Sequence, residues 1–266
     1  MERPIGVFDS GIGGLTVARE IMRRLPHEEI VYFGDTARVP YGTKSPDTVI
    51  KFSIENTLFL LRFKVKMIVI ACNTSTSYSI ELLKGNFKVP VLGVINPGAE
   101  LATKVTRNRR VGVIGTAATI TSGAYERQIR TIDPSVKVFS QACPLFVSLV
   151  EEGWLREKVT YEIAQRYLKP LRAKGIDTLI LGCTHYPLLK EVIASVMGRS
   201  VTLVDSAHQV AAHAKEVLAW ENLLAAGKRI PRHRFYVSDE SKRSTEIARR
   251  FLGRPIRLVK AEHTYV

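Results

Sequence analysis

The sequence predicts an α/β protein built from two similar, doubly wound α/β domains with mostly parallel sheets. Three observations carry this. First, apolar β-branched runs alternate with helix-like segments along the whole chain, the pattern of parallel strands covered by helices. Second, two cysteines sit in matching places. Cys72 closes the run Met67-Ile68-Val69-Ile70-Ala71, and Cys183 closes Thr178-Leu179-Ile180-Leu181-Gly182. Third, Gly6-Val7-Phe8-Asp9-Ser10 resembles Gly112-Val113-Ile114-Gly115-Thr116 at an offset of 106 (112 minus 6), while the cysteines are offset by 111 (183 minus 72). Similar offsets in the same order suggest two related halves. A pseudo-two-fold arrangement of those halves brings the strand ends, and both thiols, to a shared cleft. A chance match between two ordinary α/β segments is the plainer alternative.

Strands are expected over residues 5–8, 30–33, 67–71, 89–94, 111–114, 136–140, 178–181 and 201–204, with a last pair over 235–237 and 256–259. Helical patterns lie between them, for example over 15–25, 48–62, 99–106, 158–173 and 210–225. Each thiol therefore falls in a turn at the carboxyl end of a strand, where open α/β sheets place their ligands. Small hydroxyl or amide residues follow both cysteines and suit the start of a helix. A helix N-terminus is expected to lower a thiol pKa and make it a usable base.

Composition excludes several classes. No run of about 18 apolar residues exists, so no transmembrane helix is expected. Met1-Glu2-Arg3-Pro4 lacks the basic and apolar regions of a signal peptide. Three cysteines without CxxC spacing argue against disulfide stapling and for a reducing cytoplasm. The net charge of +14 is spread along the chain: Arg19, Arg23 and Arg24; then Arg107, Arg109 and Arg110; then Arg229, Arg232 and Arg234; then Arg249 and Arg250. None is interleaved with aromatics, so the basic residues read as a solvated surface and no specific nucleic-acid partner is expected. A positive field mildly favours an anionic small substrate.

Among the motifs, Asp9-Ser10-Gly11-Ile12-Gly13-Gly14 follows the first strand and opens a helix. It is neither GxGxxG nor a P-loop, and a carboxylate cradle fits it as well as a phosphate site. Asp9 reads as a helix cap, an acid–base helper, or both. Val39-Pro40-Tyr41-Gly42 is a turn, from which a tyrosine can close over a pocket. Asn73, Thr74 and Thr184 offer donors beside the thiols or simply cap helices. His185 can pair with Cys183, ligate metal or tune a proton transfer. The cysteines lack paired metal-ligand spacing, so no metal is expected. Cys143, without polar neighbours, reads as a packed thiol. Glu151 and Glu152 follow the apolar segment 145–150; one can turn inward, although solvation is the usual fate of such a pair.

Four motifs together resemble the bacterial glutamate racemases of the aspartate/glutamate racemase superfamily. They are Asp9–Gly14 as spelled above, Gly34-Asp35-Thr36-Ala37-Arg38-Val39-Pro40-Tyr41-Gly42, Ala71-Cys72-Asn73-Thr74, and Gly182-Cys183-Thr184-His185-Tyr186-Pro187. The segment from Cys143-Pro144-Leu145-Phe146-Val147 through Glu151 is also similar. One departure is Ser75-Thr76, where the family often has Ala-Ser. The resemblance implies two α/β domains with the active site in the cleft between them. It places the first over residues 1–95 and 207–266, on the Cys72 side, and the second over 96–206, on the Cys183 side. It further implies cofactor-independent racemisation of L- and D-glutamate by two bases, Cys72 and Cys183, supplying D-glutamate for peptidoglycan. Asp9 would assist Cys72, and His185 with Glu151 would assist Cys183. Asp9, Ser10, Tyr41, Gly42, Asn73, Thr74, Thr184 and His185 would bind the substrate. Relatives of this type occur as monomers and dimers, so a homodimer is compatible with the resemblance. Aspartate racemase is the nearest alternative, and a non-catalytic domain binding a small anion is the alternative of another class.

Overall fold

The computed structural model describes residues 3–227 and 230–262. Met1 and Glu2 of the expected start, Arg229, and residues 263–266 of the expected first domain lie outside the described residues. Elements alternate from the beginning: β1 Ile5–Asp9, α1 Leu15–Arg24, β2 Ile30–Gly34, a 3₁₀ turn Tyr41–Thr43, α2 Pro46–Leu61, β3 Met67–Ile70, α3 Asn73–Asn86 and β4 Val91–Gly93. There follow α4 Ile95–Val105, β5 Arg110–Gly115, α5 Ala117–Thr121, α6 Ala124–Ile132, β6 Lys137–Ala142, α7 Leu145–Glu152 and α8 Lys158–Ala173. Then come β7 Thr178–Gly182, a 3₁₀ turn Tyr186–Leu189, α9 Lys190–Met197, β8 Thr202–Val204, α10 Ala207–Trp220, β9 Arg234–Val237, α11 Lys242–Leu252 and β10 Leu258–Lys260.

The chain divides into two compact units, Met1–Val94 with Ala207–Val266, and Ile95–Ser206. The first holds a six-stranded sheet in the order β10-β9-β2-β1-β3-β4, the second a four-stranded sheet in the order β6-β5-β7-β8. All pairings are parallel. Four strands of the first sheet, β2-β1-β3-β4, thus repeat the whole order of the second. The registers agree as well: Gly6 pairs with Ile68 and Gly112 with Leu179. Cys72 lies four residues beyond Ile68 (72 minus 68), and Cys183 four beyond Leu179 (183 minus 179). The weak internal repeat of the sequence is therefore a duplicated topology, with each thiol at the end of the equivalent strand.

Burial explains the strand signal. Every residue of β1, β2, β3 and β7 is buried, as expected where helices cover both faces of a parallel sheet. The first core gathers Phe8, Phe33, Phe59, Leu60 and Ile70, and the second Val111, Val113, Tyr125, Ile129 and Ile180. Each such side chain contributes about 1.5–3 kcal/mol relative to exposure. Some boundaries differ from expectation. The helix expected from residue 99 starts at Ile95, because Pro97 occupies the first turn, where its missing N–H is not needed. The helix expected to reach residue 225 stops at Trp220, where Asn222 takes a left-handed conformation (φ 54°) and the Leu223 N–H returns to the Leu218 carbonyl.

Candidate active site

In the first unit, Asp9 ends β1 and is fully buried. Its Oδ2 accepts the Gly11 N–H at 3.0 Å. The α1 helix is capped by Gly14 without a side-chain hydrogen bond, so Asp9 braces the glycine turn and does not cap the helix. Gly14 is required by space: a Cβ there would stand 2.5 Å from the Asp9 Cβ and 2.8 Å from the Ala71 Cβ. A Cβ on Gly34 would stand 2.2 Å from the Gly11 carbonyl oxygen, which also accepts the Tyr32 hydroxyl at 2.8 Å. The glycines serve close packing around Asp9.

Cys72 follows β3 and is the N-cap of α3. Its Sγ accepts the Ser75 N–H at 3.4 Å and lies 3.4 Å from Ser10 Oγ, to which the thiol donates. The expected lowering of its pKa does not occur. Burial first, and the Asp9 carboxylate second, push the thiol up to about 11 against its hydrogen bonds with Ser10 and Ser75. With Cys72 as the cap, Asn73 and Thr74 form the first turn of α3, both buried, and do not cap it.

Tyr41 is also buried. Its hydroxyl donates to the Asp35 carboxylate and accepts Asn56 Nδ2 at 3.1 Å. Arg38 Nε reaches the same carboxylate at 2.6 Å, and Ser238 Oγ donates to it at 2.9 Å. Asp35 thus anchors the turn carrying Tyr41 and Gly42, and the Tyr41 phenol faces inward. Gly42 and Ser10 are half-buried.

In the second unit, Cys183 directly follows β7 and is buried. No α-helix starts at it, contrary to expectation: a 3₁₀ turn comes next, capped by His185 without a side-chain bond, and α9 begins only at Lys190. Thr184 therefore caps no helix, and its Oγ1 lies 3.5 Å from His185 Nδ1. Cys183 Sγ stands 3.8 Å from the same nitrogen, and His185 Nε2 lies 3.1 Å from Glu151 Oε1. Burial alone would lower the His185 pKa, but hydrogen bonds to Cys183 and Glu151 and their charges outweigh it and raise it to about 10. Glu151 sits in the last turn of α7, which ends at Gly153 in the left-handed region (φ 79°). The carboxylate turns toward the imidazole yet keeps 40% of its side chain exposed. Cys143 is fully buried; its thiol is pushed strongly up, by burial first.

Thr116 lies in none of the motifs that stand out in the sequence. It directly follows β5 and caps α5 through the Thr119 N–H at 3.2 Å. The offset of 106 carries Ser10 onto Thr116, so the repeat itself held the signal. Among the described residues, no three His, Cys, Asp or Glu side chains are grouped as metal ligands would be. No helix among them is long and apolar enough to cross a membrane.

The family model for Asp/Glu/Hydantoin racemase matches residues 7–216. This chain belongs to that family. It is an enzyme, an amino-acid racemase of the isomerase class. It is 51% identical over 251 residues to a glutamate racemase of Geobacter metallireducens, covering 94% of this chain and 93% of the relative. Among solved structures it is similar to a glutamate racemase isoform of Bacillus anthracis, with a TM-score of 0.95, 41% identity and 98% of each chain covered. It is also similar to the glutamate racemase of Francisella tularensis in complex with D-glutamate, with a TM-score of 0.93, 41% identity and 99% of each chain covered.

Proposed function

We propose that the protein interconverts L- and D-glutamate by a two-base, cofactor-independent mechanism in which Cys72 and Cys183 act on opposite faces of one substrate. The observation that carries this reading is the equivalence of the two thiols: corresponding strands of the two sheets, the same register, and a buried acid–base partner for each, Asp9 and His185. The relative crystallised with D-glutamate supports the substrate class.

The chemistry balances with protein groups alone. One thiolate takes the Cα proton and becomes a thiol, while the opposite thiol gives its proton to the other face of the carbanion and becomes a thiolate. Cys72 deprotonates D-glutamate with Asp9 beside it, and Cys183 deprotonates L-glutamate with His185 and Glu151 behind it. With its pKa near 11, Cys72 rests as a thiol at neutral pH, ready to donate while Cys183 acts as base. His185, holding a proton, gives Cys183 a cationic neighbour. Ser10, Asn73, Thr74, Thr184 and the turn at Tyr41 and Gly42 bind the carboxylates and the ammonium; with Tyr41 turned inward, the turn contributes backbone groups. Oriented donors of this kind stabilise the charge that develops at the reacting carbon. The product supplies D-glutamate for peptidoglycan in the cytoplasm, and a homodimer is compatible with the reading.

Racemisation in D2O tests it. Wild type is expected to label Cα of product in both directions. Cys72→Ser and Cys183→Ser are each expected to lose racemisation by orders of magnitude. Full racemisation in either variant would refute the two-base assignment. Clear preference for D-aspartate over D-glutamate would overturn the substrate and leave the chemistry standing.

A further inference from the structure

Basic residues that are scattered in the sequence are gathered by the fold. Helices α1 and α11 lie side by side in the first unit: Arg19 Nη1 donates to the Phe251 carbonyl at 3.3 Å, and Arg254 Nη2 lies 3.1 Å from Met22 Sδ. Residues 15–24 and 242–257 together hold nine Arg and Lys against two Glu, a net of +7 out of the +14 of the chain. They are about a tenth of its length. All nine cations are exposed, and eight are Arg. Arg24, Arg249, Arg250 and Arg257 form no ion pair among the described residues.

Their place in the topology separates them from the thiol. In a parallel sheet, helices run back against the strands, so α1 and α11 both end at the edge opposite Asp9 and Cys72. Basic residues in a last helical turn favour the helix dipole by about 0.3–1 kcal/mol. That accounts for one or two cations per helix, and not for Arg254 and Arg257, which lie past the end of α11.

The composition of the ridge chooses its partner. The apolar faces of both helices are spent inward, through Leu15, Val17 and Ile21 on α1 and Ile247, Phe251 and Leu252 on α11. Neither helix carries an exposed large apolar side chain. A helix that inserts into a membrane surface needs an apolar face, and a protein interface is anchored by aromatic or arginine side chains packed into desolvated pockets. A duplex needs neither: it offers one negative charge per about 1.7 Å of axis, and neutralising phosphates releases counterions. Arginine forks match phosphate oxygens in pairs. We infer that the α1/α11 ridge binds the phosphate backbone of double-stranded DNA without regard to sequence.

The test measures anisotropy of a labelled mixed-sequence DNA duplex across a salt series, using the full chain. Wild type is expected to bind at low salt with a steep negative slope of log affinity against log salt. Arg249→Ala/Arg250→Ala is expected to bind about tenfold more weakly, with a slope shallower by about 1.8, at about 0.9 per lost phosphate contact. Arg166→Ala/Lys169→Ala, which removes two exposed cations from α8, is expected to keep both affinity and slope. Unchanged racemisation in both variants shows that each is folded. No binding by wild type, or equal loss in the α8 control, overturns the inference. Binding to anionic phospholipid vesicles but not to the duplex overturns it as well.

Discussion

Asp9 acts on Cys72 through charge as well as through position. Its carboxylate is the second-largest contributor, after burial, to the thiol pKa near 11. Asp9→Asn keeps an oxygen for the Gly11 N–H and removes the charge, so the thiol pKa should fall. Iodoacetamide labelling of Cys72 is then expected to rise at a lower pH than in wild type; an unmoved profile means that Asp9 does not control the proton on that sulfur. His185 carries the opposite sign of charge and a stability consequence. Its pKa rises from 6.5 to about 10 on folding, so the folded chain holds a proton that the unfolded chain releases. That stabilisation is fully present below pH 6.5 and is lost as pH rises through about 10. Urea unfolding of wild type should therefore weaken more steeply across this interval than unfolding of His185→Asn. Parallel curves for the two proteins would remove the protonated imidazole from the folded state.

Between elements, the decisive contact in the first unit is an ion pair hidden from solvent. Lys66, just before β3, and Glu28, just before β2, are 4% and 3% exposed and meet at 2.6 Å. Lys66 Nζ also donates to the Leu223 carbonyl at 2.6 Å, and Glu28 Oε1 accepts the Ala225 N–H at 2.8 Å. The pair thereby fastens the segment after α10 to the amino ends of the strands. Removing one partner leaves a buried charge, so Lys66→Met should cost about 3–5 kcal/mol in urea unfolding. Lys66→Met/Glu28→Gln should recover part of that; equal losses would place the cost in the carbonyl contact instead. Neither charge stood out in the sequence, since Lys and Glu near strand starts look like surface residues. Strands and long helices were legible because burial on one stripe or both faces leaves a periodic trace. Helix ends were less legible: Pro97 could have stopped a helix or started one, and Asn222 acts only through its backbone conformation. The strand-end placement of the two thiols was legible because each closes an apolar run. Their surroundings were not, because the helix start expected after Cys183 is a 3₁₀ turn, and burial, with the charge of Asp9 second, overrides the helix start at Cys72.

At the scale of the whole chain, the sequence offsets reported a duplicated strand order, and topology confirms the repeat at the level of register. The two copies differ in one respect that bears on how the molecule is made. The second unit is one uninterrupted stretch, Ile95–Ser206, set within the first. A ribosome therefore releases β1 to β4 first, then all of the second unit, and only afterwards α10, which packs on α1, and β9, which pairs with β2. Until then β2 is an open sheet edge and the apolar face of α1 lacks its partner, a state prone to wrong pairing. The inner unit has no such wait. Nascent chains arrested after residue 206 are expected to show a protease-resistant core within residues 95–206 while residues 1–94 are cleaved. Resistance of the amino-terminal segment should appear only once release extends through β9 and β10. The insertion thus sets a timetable in which the Cys183 half matures before the Cys72 half, although Cys72 is translated first.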